Sequence, residues 1–182
     1  ETPDFKKIKE LIDVMAGVLQ DKPSIGQLTE NITQIEKVNE GKTAPFFSLP
    51  NQKGEKVTRL DKFKDKYMLI NFWASWCEEC DSTNVELRKI NNKYKKNKEF
   101  GILGISFDIN KEDWKNKIKQ DTLTWEQVCT FTGWNLETAK QYAILKLPTN
   151  IFVSPGGRIL ARDIPTDSLS REIEKALKKE KK

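Results

Sequence analysis

Residues Tyr67–Cys80 read YMLINFWASWCEEC and contain the strongest structural signal in the chain. The first seven residues are almost entirely apolar, which is typical of a strand covered on both faces within a central sheet. The two cysteines follow the strand directly, where apolar residues begin to recur at helical spacing. We therefore predict a buried strand over Tyr67–Trp73 that leads to Cys77 and Cys80 at the start of a helix over residues 77–98.

This position gives the cysteine pair a specific chemistry. At a helix N-terminus, unpaired backbone N–H groups and the helix dipole stabilise a thiolate. A second cysteine three residues later lies close enough to form a disulfide with the first. Such a pair can attack a target disulfide, form a mixed disulfide and resolve it internally. We predict that Cys77 attacks and that Cys80 resolves.

Two other uses of the cysteines are a structural zinc site and a purely structural disulfide. A structural zinc ion usually needs four Cys or His ligands, whereas the chain offers only Cys77, Cys80 and Cys129 and has no histidine. A disulfide that closes so short a loop adds little stability through chain entropy. We therefore predict no metal. Cys129 lies among apolar residues, and we expect it to be a buried, inert thiol.

Composition excludes further classes of function. The absence of histidine rules out His-based acid–base catalysis and any Ser-His or Cys-His nucleophile. The chain has 32 basic and 27 acidic residues, a formal net charge of +5. The basic tail from Arg171 alternates Lys and Glu, as on the solvated face of a helix, and no aromatic residues interleave with its bases. We predict no nucleic-acid partner.

Strands and helices alternate along the rest of the chain. We predict further strands over Phe100–Asp108, Asn150–Ser154 and Arg158–Ile164, a helix over residues 111–121, and a final helix that Asp167 caps and that runs to about Leu177. This order indicates an α/β sandwich around a mixed sheet. The predicted buried residues of the first helix after the cysteines are Val85, Leu87, Ile90 and Tyr94. In the mixed segment 123–145 they are Trp125, Val128, Phe131, Trp134 and Tyr142.

The first 42 residues form a separate helical extension in this reading. Apolar residues recur at helical spacing over residues 5–20, with Asp4 as a candidate N-cap and Pro23 as the end of the helix. A second amphipathic helix follows Ser24, and Gly41 closes it. Two helices alone have little core, so we expect the hairpin to pack elsewhere. The predicted units are a helical extension over residues 1–42 and an α/β domain over residues 43–182.

The run Asn71–Cys80, NFWASWCEEC, resembles the active-site stretch of thioredoxin-like proteins. The fuller pattern is similar to the TlpA/ResA-like branch of that family, which is related to AhpC/TSA proteins. It comprises Ala44–Leu49, Gly54, Leu60, Phe72–Cys77, Leu147–Thr149 and Pro155–Ile159. The resemblance covers about residues 43–178. It implies a thioredoxin-like fold, in which helices flank a central mixed β-sheet.

The resemblance also implies an activity and a location. Members of this branch exchange disulfides with protein substrates outside the cytoplasm, use the cysteine pair without a further cofactor, and depend on an upstream thiol reductant. The chain begins at Glu1 rather than Met, and neither a signal peptide nor an apolar run long enough for a membrane helix is visible. We expect an upstream segment to have been removed. A membrane tether upstream of Glu1 fits this assignment.

Three further residues acquire roles through the resemblance. The proline that matches Pro148 is cis and faces the disulfide, and a cis peptide bond is almost confined to X-Pro pairs. The backbone of the preceding residue, here Leu147, can hydrogen-bond an extended substrate. Trp76, with Phe72 and Trp73, would form the apolar rim or the underside of the site. For Phe72 and Trp73, a place in the core fits equally well.

The sequence departs from the family pattern at three positions. Asn71 stands where thioredoxin has a buried aspartate, Thr83 where relatives often carry a glutamate, and Val85 where a proline is common. The usual buried carboxylate that handles the proton of the second thiol is therefore expected to be missing. The acids nearest in sequence to the cysteines are Glu78, Glu79 and Asp81.

Glu78 and Glu79 are expected to support the site electrostatically. Negative charge beside Cys77 disfavours its thiolate and opposes the helix dipole. A less stable thiolate disfavours the dithiol form, so the dithiol becomes a stronger reductant. We predict that the protein works in the reducing direction. Exposure of the two carboxylates would weaken this effect.

Two alternative functions remain at this point. A peroxiredoxin-like thiol peroxidase would share the Ala-Pro-x-Phe pattern at residues 44–47, although the usual Thr before the reactive Cys in a Pro-rich loop is not visible. A non-catalytic binding module would hold a partner with the thioredoxin-like groove and the N-terminal helices. Peroxide consumption tests the first alternative, and partner binding by the Cys77→Ser variant tests the second.

Overall fold

The computed structural model describes residues 4–18 and 23–179. In chain order, the helices and strands are α1 (Phe5–Val18), α2 (Pro23–Lys37), β1 (Ser48–Pro50), β2 (Lys56–Thr58), α3 (Arg59–Lys62), β3 (Tyr67–Trp73), α4 (Glu79–Tyr94), β4 (Phe100–Ser106), α5 (Lys111–Gln120), β5 (Glu126–Cys129), α6 (Glu137–Gln141), β6 (Thr149–Val153), β7 (Ile159–Arg162) and α7 (Leu169–Lys179). Alternation of strands and helices from β3 onwards confirms the predicted α/β class.

The central sheet has the strand order β5-β4-β3-β6-β7. Strands β3, β4 and β5 are parallel, and β6 and β7 continue the sheet in antiparallel fashion. Strand β3 occupies the middle, and all seven of its residues are buried. The neighbouring strands and the layers on both sides of the sheet exclude water from β3. This burial explains the continuous apolar run in its sequence. The small β1–β2 hairpin pairs separately.

Alternate residues of β3 face different layers. Tyr94 of α4 contacts Phe100, which is the register partner of Tyr67, with ring centroids 5.4 Å apart. The face of β3 that carries Tyr67 and every second residue after it therefore lies under α4. Phe72 points to the opposite face, where its ring centroid lies 5.6 Å from that of Tyr142. The sheet is thus covered on both sides.

Strand β5 was not predicted, because residues 123–145 show no clear periodicity. Only four residues long, β5 pairs with β4 and completes one edge of the sheet. The structure also corrects two burial predictions. Trp134 packs edge-on against Phe107 but is 48% exposed. Val85 is 42% exposed because α4 turns Cys80 and Leu87 towards the sheet instead.

The N-terminal helices form the predicted hairpin, in which Lys9 and Glu36 make an ion pair. The second helix begins slightly before its predicted start after Ser24. Pro23 is the first residue of α2, a position where proline is favoured because its missing N–H would be unpaired in any case. The predicted end of the first helix at residue 20 lies outside the described residues. Val38, just beyond α2, is buried in the core of the α/β domain.

The C-terminal helix begins later than predicted. Asp167 lies in a short 3-10 turn over Thr166–Ser168, and α7 starts at Leu169. Thr83 of α4 hydrogen-bonds Thr166 (3.2 Å), and Lys93 of α4 contacts Glu174 of α7 (3.2 Å). These contacts place α7 beside α4 on the same layer. Among the described residues, we find no helix whose length and apolarity would let it cross a bilayer.

Candidate active site

The two cysteines lie where β3 passes into α4 and are joined by a disulfide. The Sγ–Sγ distance is 2.03 Å and the Cα atoms are 5.3 Å apart. Cys77 precedes the first turn of α4, and its carbonyl accepts a hydrogen bond from the Cys80 N–H (3.1 Å). Cys77 is 4% exposed and Cys80 is not exposed at all. A substrate sulfur approaching from solvent can therefore reach Cys77 before Cys80.

The turn before Cys77 is held by the end of β4. Phe107 N–H donates to the Trp73 carbonyl (2.8 Å). Ser75 donates its N–H to Asp108 (3.1 Å) and its hydroxyl to the same carboxylate. Asp108 is 1% exposed. These contacts bring a buried carboxylate against the active-site turn.

Asn71 stands at the position of the usual buried carboxylate, and Asp108 is a different buried carboxylate, which contacts the turn before Cys77. Glu78 and Glu79, which are close to the cysteines in sequence, both lie exposed to solvent. Asp81 forms an ion pair with Lys117 (2.7 Å) on the side of α4. Asp108 is 28 positions beyond Cys80, so its distance along the chain concealed it. One signal was available: a polar residue that directly follows a buried strand lies at the carboxyl edge of a parallel sheet.

Asn71 occupies the face of β3 that lies under α4. It is 1% exposed, and both atoms of its side-chain amide lack a hydrogen-bond partner among the described residues. Its register partner on β4 is Gly104. Gln127 reaches over this glycine and accepts a hydrogen bond from Trp73 Nε1 (3.1 Å). A Cβ at Gly104 would lie 2.0 Å from Gln127 Oε1, so the glycine leaves room for that amide.

Pro148 lies at the same edge of the sheet as the cysteines. The Leu147–Pro148 peptide bond is cis, as the resemblance implied. Thr149 pairs with Phe72 in the sheet, so Pro148 falls beside Trp73, where β3 ends. Leu147 and Pro148 are both half-buried, so part of this segment is accessible to solvent.

The segment that leads to Pro148 is held by Arg162, which the sequence did not reveal, and by Tyr142, which was predicted to be buried. The buried Arg162 guanidinium donates to the carbonyls of Tyr142 and Ala143 (2.7 Å each). Tyr142 donates its hydroxyl to the Pro45 carbonyl (2.7 Å). Burial lowers the pKa of Arg162 and raises the pKa of Tyr142. No local sequence pattern indicates these contacts, because each joins segments far apart in the chain.

Exposed apolar side chains follow the edge of the sheet that carries the cysteines. They are Trp76, Ile109, Trp134 and Leu145. A cleft of about 430 Å³ separates α2 from Trp134 and Leu145. Phe72 and Trp73 are fully buried and belong to the core beneath the turn. Trp76 alone of the three predicted aromatic residues is exposed at the rim.

Cys129 ends β5 and is buried. Its thiol contacts the Asp108 carbonyl (3.5 Å) and accepts a hydrogen bond from the Phe131 N–H (3.3 Å). Burial raises the pKa of this thiol. Within residues 4–18 and 23–179, no three His, Cys, Asp or Glu side chains are grouped so that they could hold a metal ion.

We expect Cys129 to resist alkylation in the folded, reduced protein. The thiolate is the reactive form, and a raised pKa lowers its fraction at any pH below that pKa. With the disulfide reduced, iodoacetamide at pH 7–8 should modify Cys77 first and Cys129 only after denaturation. Peptide mass spectrometry over a time course measures this order. Equal rates for Cys77 and Cys129 would contradict the buried, inert thiol.

Comparison with known proteins identifies the family. The AhpC/TSA family model matches residues 41–162. The thiol-disulfide oxidoreductase ResA of Bacillus thuringiensis subsp. konkukian (strain 97-27) is 32% identical over 149 residues, which cover 81% of this chain and 82% of that protein.

Solved structures agree with this match. The C-terminal domain of a thiol-disulfide oxidoreductase from Bacteroides thetaiotaomicron is 55% identical, with a TM-score of 0.75 over 79% of this chain and 99% of that chain. A thiol-disulfide oxidoreductase from Bacteroides fragilis NCTC 9343 is 57% identical, with a TM-score of 0.72 over 74% of this chain and 99% of that chain. The thioredoxin domain of a thiol-disulfide oxidoreductase from Bacteroides vulgatus is 35% identical, with a TM-score of 0.69 over 75% of this chain and 96% of that chain.

The matched segment contains the whole central sheet and the bonded cysteine pair at the start of α4. The predicted thioredoxin-like fold, with its mixed sheet, flanking helices and helical N-terminal segment, is confirmed. The chain belongs to the AhpC/TSA family and is a thioredoxin-like thiol–disulfide oxidoreductase.

Proposed function

We propose that this oxidoreductase reduces disulfides in protein substrates, with Cys77 as the attacking thiol and Cys80 as the resolving thiol. The observation that supports this assignment is the difference in exposure between the two sulfur-bearing residues, 4% for Cys77 and none for Cys80. Cys77 also lies at the helix N-terminus, where backbone N–H groups favour a thiolate.

The reaction needs only these two side chains and the substrate. The Cys77 thiolate attacks one sulfur of the substrate disulfide, a mixed disulfide forms, and the other substrate sulfur leaves as a thiolate. The Cys80 thiolate then attacks Cys77 Sγ, which re-forms the disulfide seen here and releases the second substrate sulfur. Two electrons pass to the substrate, whose two sulfurs take up protons. An upstream thiol reductant returns the pair to the dithiol, so no metal or organic cofactor enters this cycle.

The half-buried Leu147–Pro148 segment and the exposed rim support a protein substrate. The backbone of Leu147 can hydrogen-bond an extended chain beside the disulfide, as the family resemblance implies. Trp76 is next to Cys77 in sequence and offers an exposed apolar surface to residues that flank a substrate cysteine. An extracytoplasmic location, with a tether upstream of Glu1, is supported by the resemblance to the TlpA/ResA-like branch.

Trapping tests the proposed roles. In the Cys80→Ser variant, the attacking thiol remains and the resolving thiol is gone, so the reaction should stop at the mixed disulfide. We expect substrate proteins bound covalently to Cys77, released by a dithiol and identified by mass spectrometry. The Cys77→Ser variant is the matched control and should trap nothing. Adducts on Cys129 in place of Cys77 would overturn the assignment.

Replacing Glu78 and Glu79 tests the proposed reducing direction. Removing both negative charges should stabilise the Cys77 thiolate and make the redox potential less negative. Because both side chains are exposed, we expect a shift well below tenfold in the equilibrium constant with glutathione. Equilibration with glutathione buffers, followed by thiol counting, measures the shift. A potential that stays constant or becomes more negative in the Glu78→Gln/Glu79→Gln variant would contradict the electrostatic reasoning.

A further inference from the structure

Asp108 is the sole acidic residue that is fully buried among the described residues. Three hydrogen-bond donors face its carboxylate: the Ser75 N–H, the Ser75 hydroxyl and the Ser106 hydroxyl. An ionised carboxylate can accept all three hydrogen bonds. No lysine or arginine of the described chain forms an ion pair with it, so its negative charge meets only neutral donors.

The same contacts connect Asp108 to the redox site. Ser75 is two residues before Cys77, and two residues span at most about 7 Å of chain. In the same turn, the carbonyl of Ala74, the residue before Ser75, accepts a hydrogen bond from the Cys77 N–H (3.2 Å). The carboxylate therefore holds the turn whose next residues carry the attacking sulfur.

The electrostatic surroundings of Asp108 differ from those of Glu78 and Glu79. Charges on the surface are screened by water and salt. A buried charge acts through a medium of low effective dielectric constant and is screened much less. One charge on Asp108 should therefore affect the Cys77 thiolate more than the two exposed glutamates together.

We propose that Asp108 is a positioning residue of the redox site, which holds the turn before Cys77 and makes the Cys77–Cys80 dithiol a stronger reductant. Its negative charge destabilises the Cys77 thiolate relative to the uncharged disulfide. The inference rests on the proposed role of Cys77 as the attacking thiol. The redox potential can be measured without any substrate protein, so failure of this inference is distinguishable from failure of the proposed function.

Two variants should shift the redox potential in opposite directions. Asp108→Asn removes the charge and keeps the shape. We expect its equilibrium constant with glutathione to move about tenfold towards the dithiol, which corresponds to a potential about 30 mV less negative. Ser75→Ala keeps the charge and removes one neutralising donor, so its potential should become more negative. A loss of packing alone would not explain shifts of the redox potential in opposite directions in the two variants.

The pH profile of alkylation supplies a second measurement. Without the charge at position 108, the Cys77 thiolate should form at lower pH than in the parent. The rate of iodoacetamide modification at Cys77, followed as a function of pH, should therefore begin to rise at a lower pH in Asp108→Asn. Asp121→Asn is the matched control. Asp121 is a largely buried carboxylate that accepts a hydrogen bond from Asn84 of α4 (3.0 Å) and pairs with Lys117 (3.4 Å), which also pairs with Asp81. Because a lysine neutralises the Asp121 charge, its replacement should shift the potential less than Asp108→Asn does.

Three results would overturn the inference. They are a parental potential and pH profile in Asp108→Asn, a shift no larger than that of the Glu78→Gln/Glu79→Gln variant, and shifts of the same sign in Asp108→Asn and Ser75→Ala. If Asp108→Asn does not fold, Ser75→Ala decides the outcome alone, because Ser75 lies partly exposed. An unchanged or less negative potential in Ser75→Ala would then refute the role of Asp108.

Discussion

Reduction of insulin disulfides should fall to the uncatalysed rate when Cys77 is replaced by serine. This is the largest effect we expect, because a serine hydroxyl at neutral pH has neither the nucleophilicity of a thiolate nor the ability to form a disulfide. Turbidity of reduced insulin in the presence of a dithiol measures the rate. Cys129→Ser is the matched control, since its buried thiol lies outside the proposed cycle, and it should keep the parental rate.

Comparison of the parent with the Cys77→Ser variant also separates the alternative functions. A thiol peroxidase would consume peroxide in the parent and lose that activity in Cys77→Ser, with little insulin reduction in either protein. A binding module would keep its partner after the substitution. Insulin reduction by the Cys77→Ser variant at the parental rate would remove Cys77 from the mechanism.

Replacing Asn71 with aspartate should cause a large, pH-dependent loss of stability. The substitution nearly preserves shape, but it places a carboxyl group at a site that is 1% exposed, where the amide already lacks hydrogen-bond partners among the described residues. Burial disfavours the charged form, so the pKa of the new side chain should rise well above its value of about 3.9 in the unfolded chain.

The sign of the pH dependence follows from this raised pKa. Below about pH 4, both states of the Asn71→Asp variant keep the proton, and stability should be close to that of the parent. As the pH rises, the unfolded chain releases the proton while the folded protein retains it. Stability should then fall by about 1.4 kcal/mol per pH unit, reaching roughly 3–4 kcal/mol at pH 7.

Urea unfolding of Asn71→Asp at several pH values measures this loss. Asn97→Asp is a suitable control, because the Asn97 side chain lies near the surface and accepts a hydrogen bond from the Glu99 N–H (2.7 Å). That control should show no fall in stability between pH 4 and pH 7. A loss in Asn71→Asp that stays constant over this range would mean that the new carboxyl group is solvated or paired.

The sequence predicted the cysteine pair but not strand β5, and the range of the signal along the chain explains both outcomes. Seven consecutive, almost entirely apolar residues indicate the buried strand over Tyr67–Trp73. Cys77 and Cys80 are spaced for a disulfide within one helical turn. Both signals are local. Strand β5 is four residues long, begins with polar residues and exists because β4 offers it an edge.

Asp108 and Arg162 show the same limit within the site. Asp108 contacts Ser75 across 33 positions of the chain, and Arg162 contacts Tyr142 across 20. Neither partner can be read from periodicity, because hydrogen bonds between segments depend on which strand ends are neighbours in the sheet. The register that aligns the ends of β3 and β4 creates the first contact.

By itself, the sequence determined the α/β class, the central buried strand and the bonded cysteines at a helix start, because each depends on residues a few positions apart whose apolar pattern or spacing has few physical solutions. Only the tertiary structure decided that a buried carboxylate supports the turn before Cys77, that Asn71 has no partner under α4, and that Trp134 is half exposed. These features depend on strand order and on the packing of side chains from distant segments, and no local pattern in the chain encodes either.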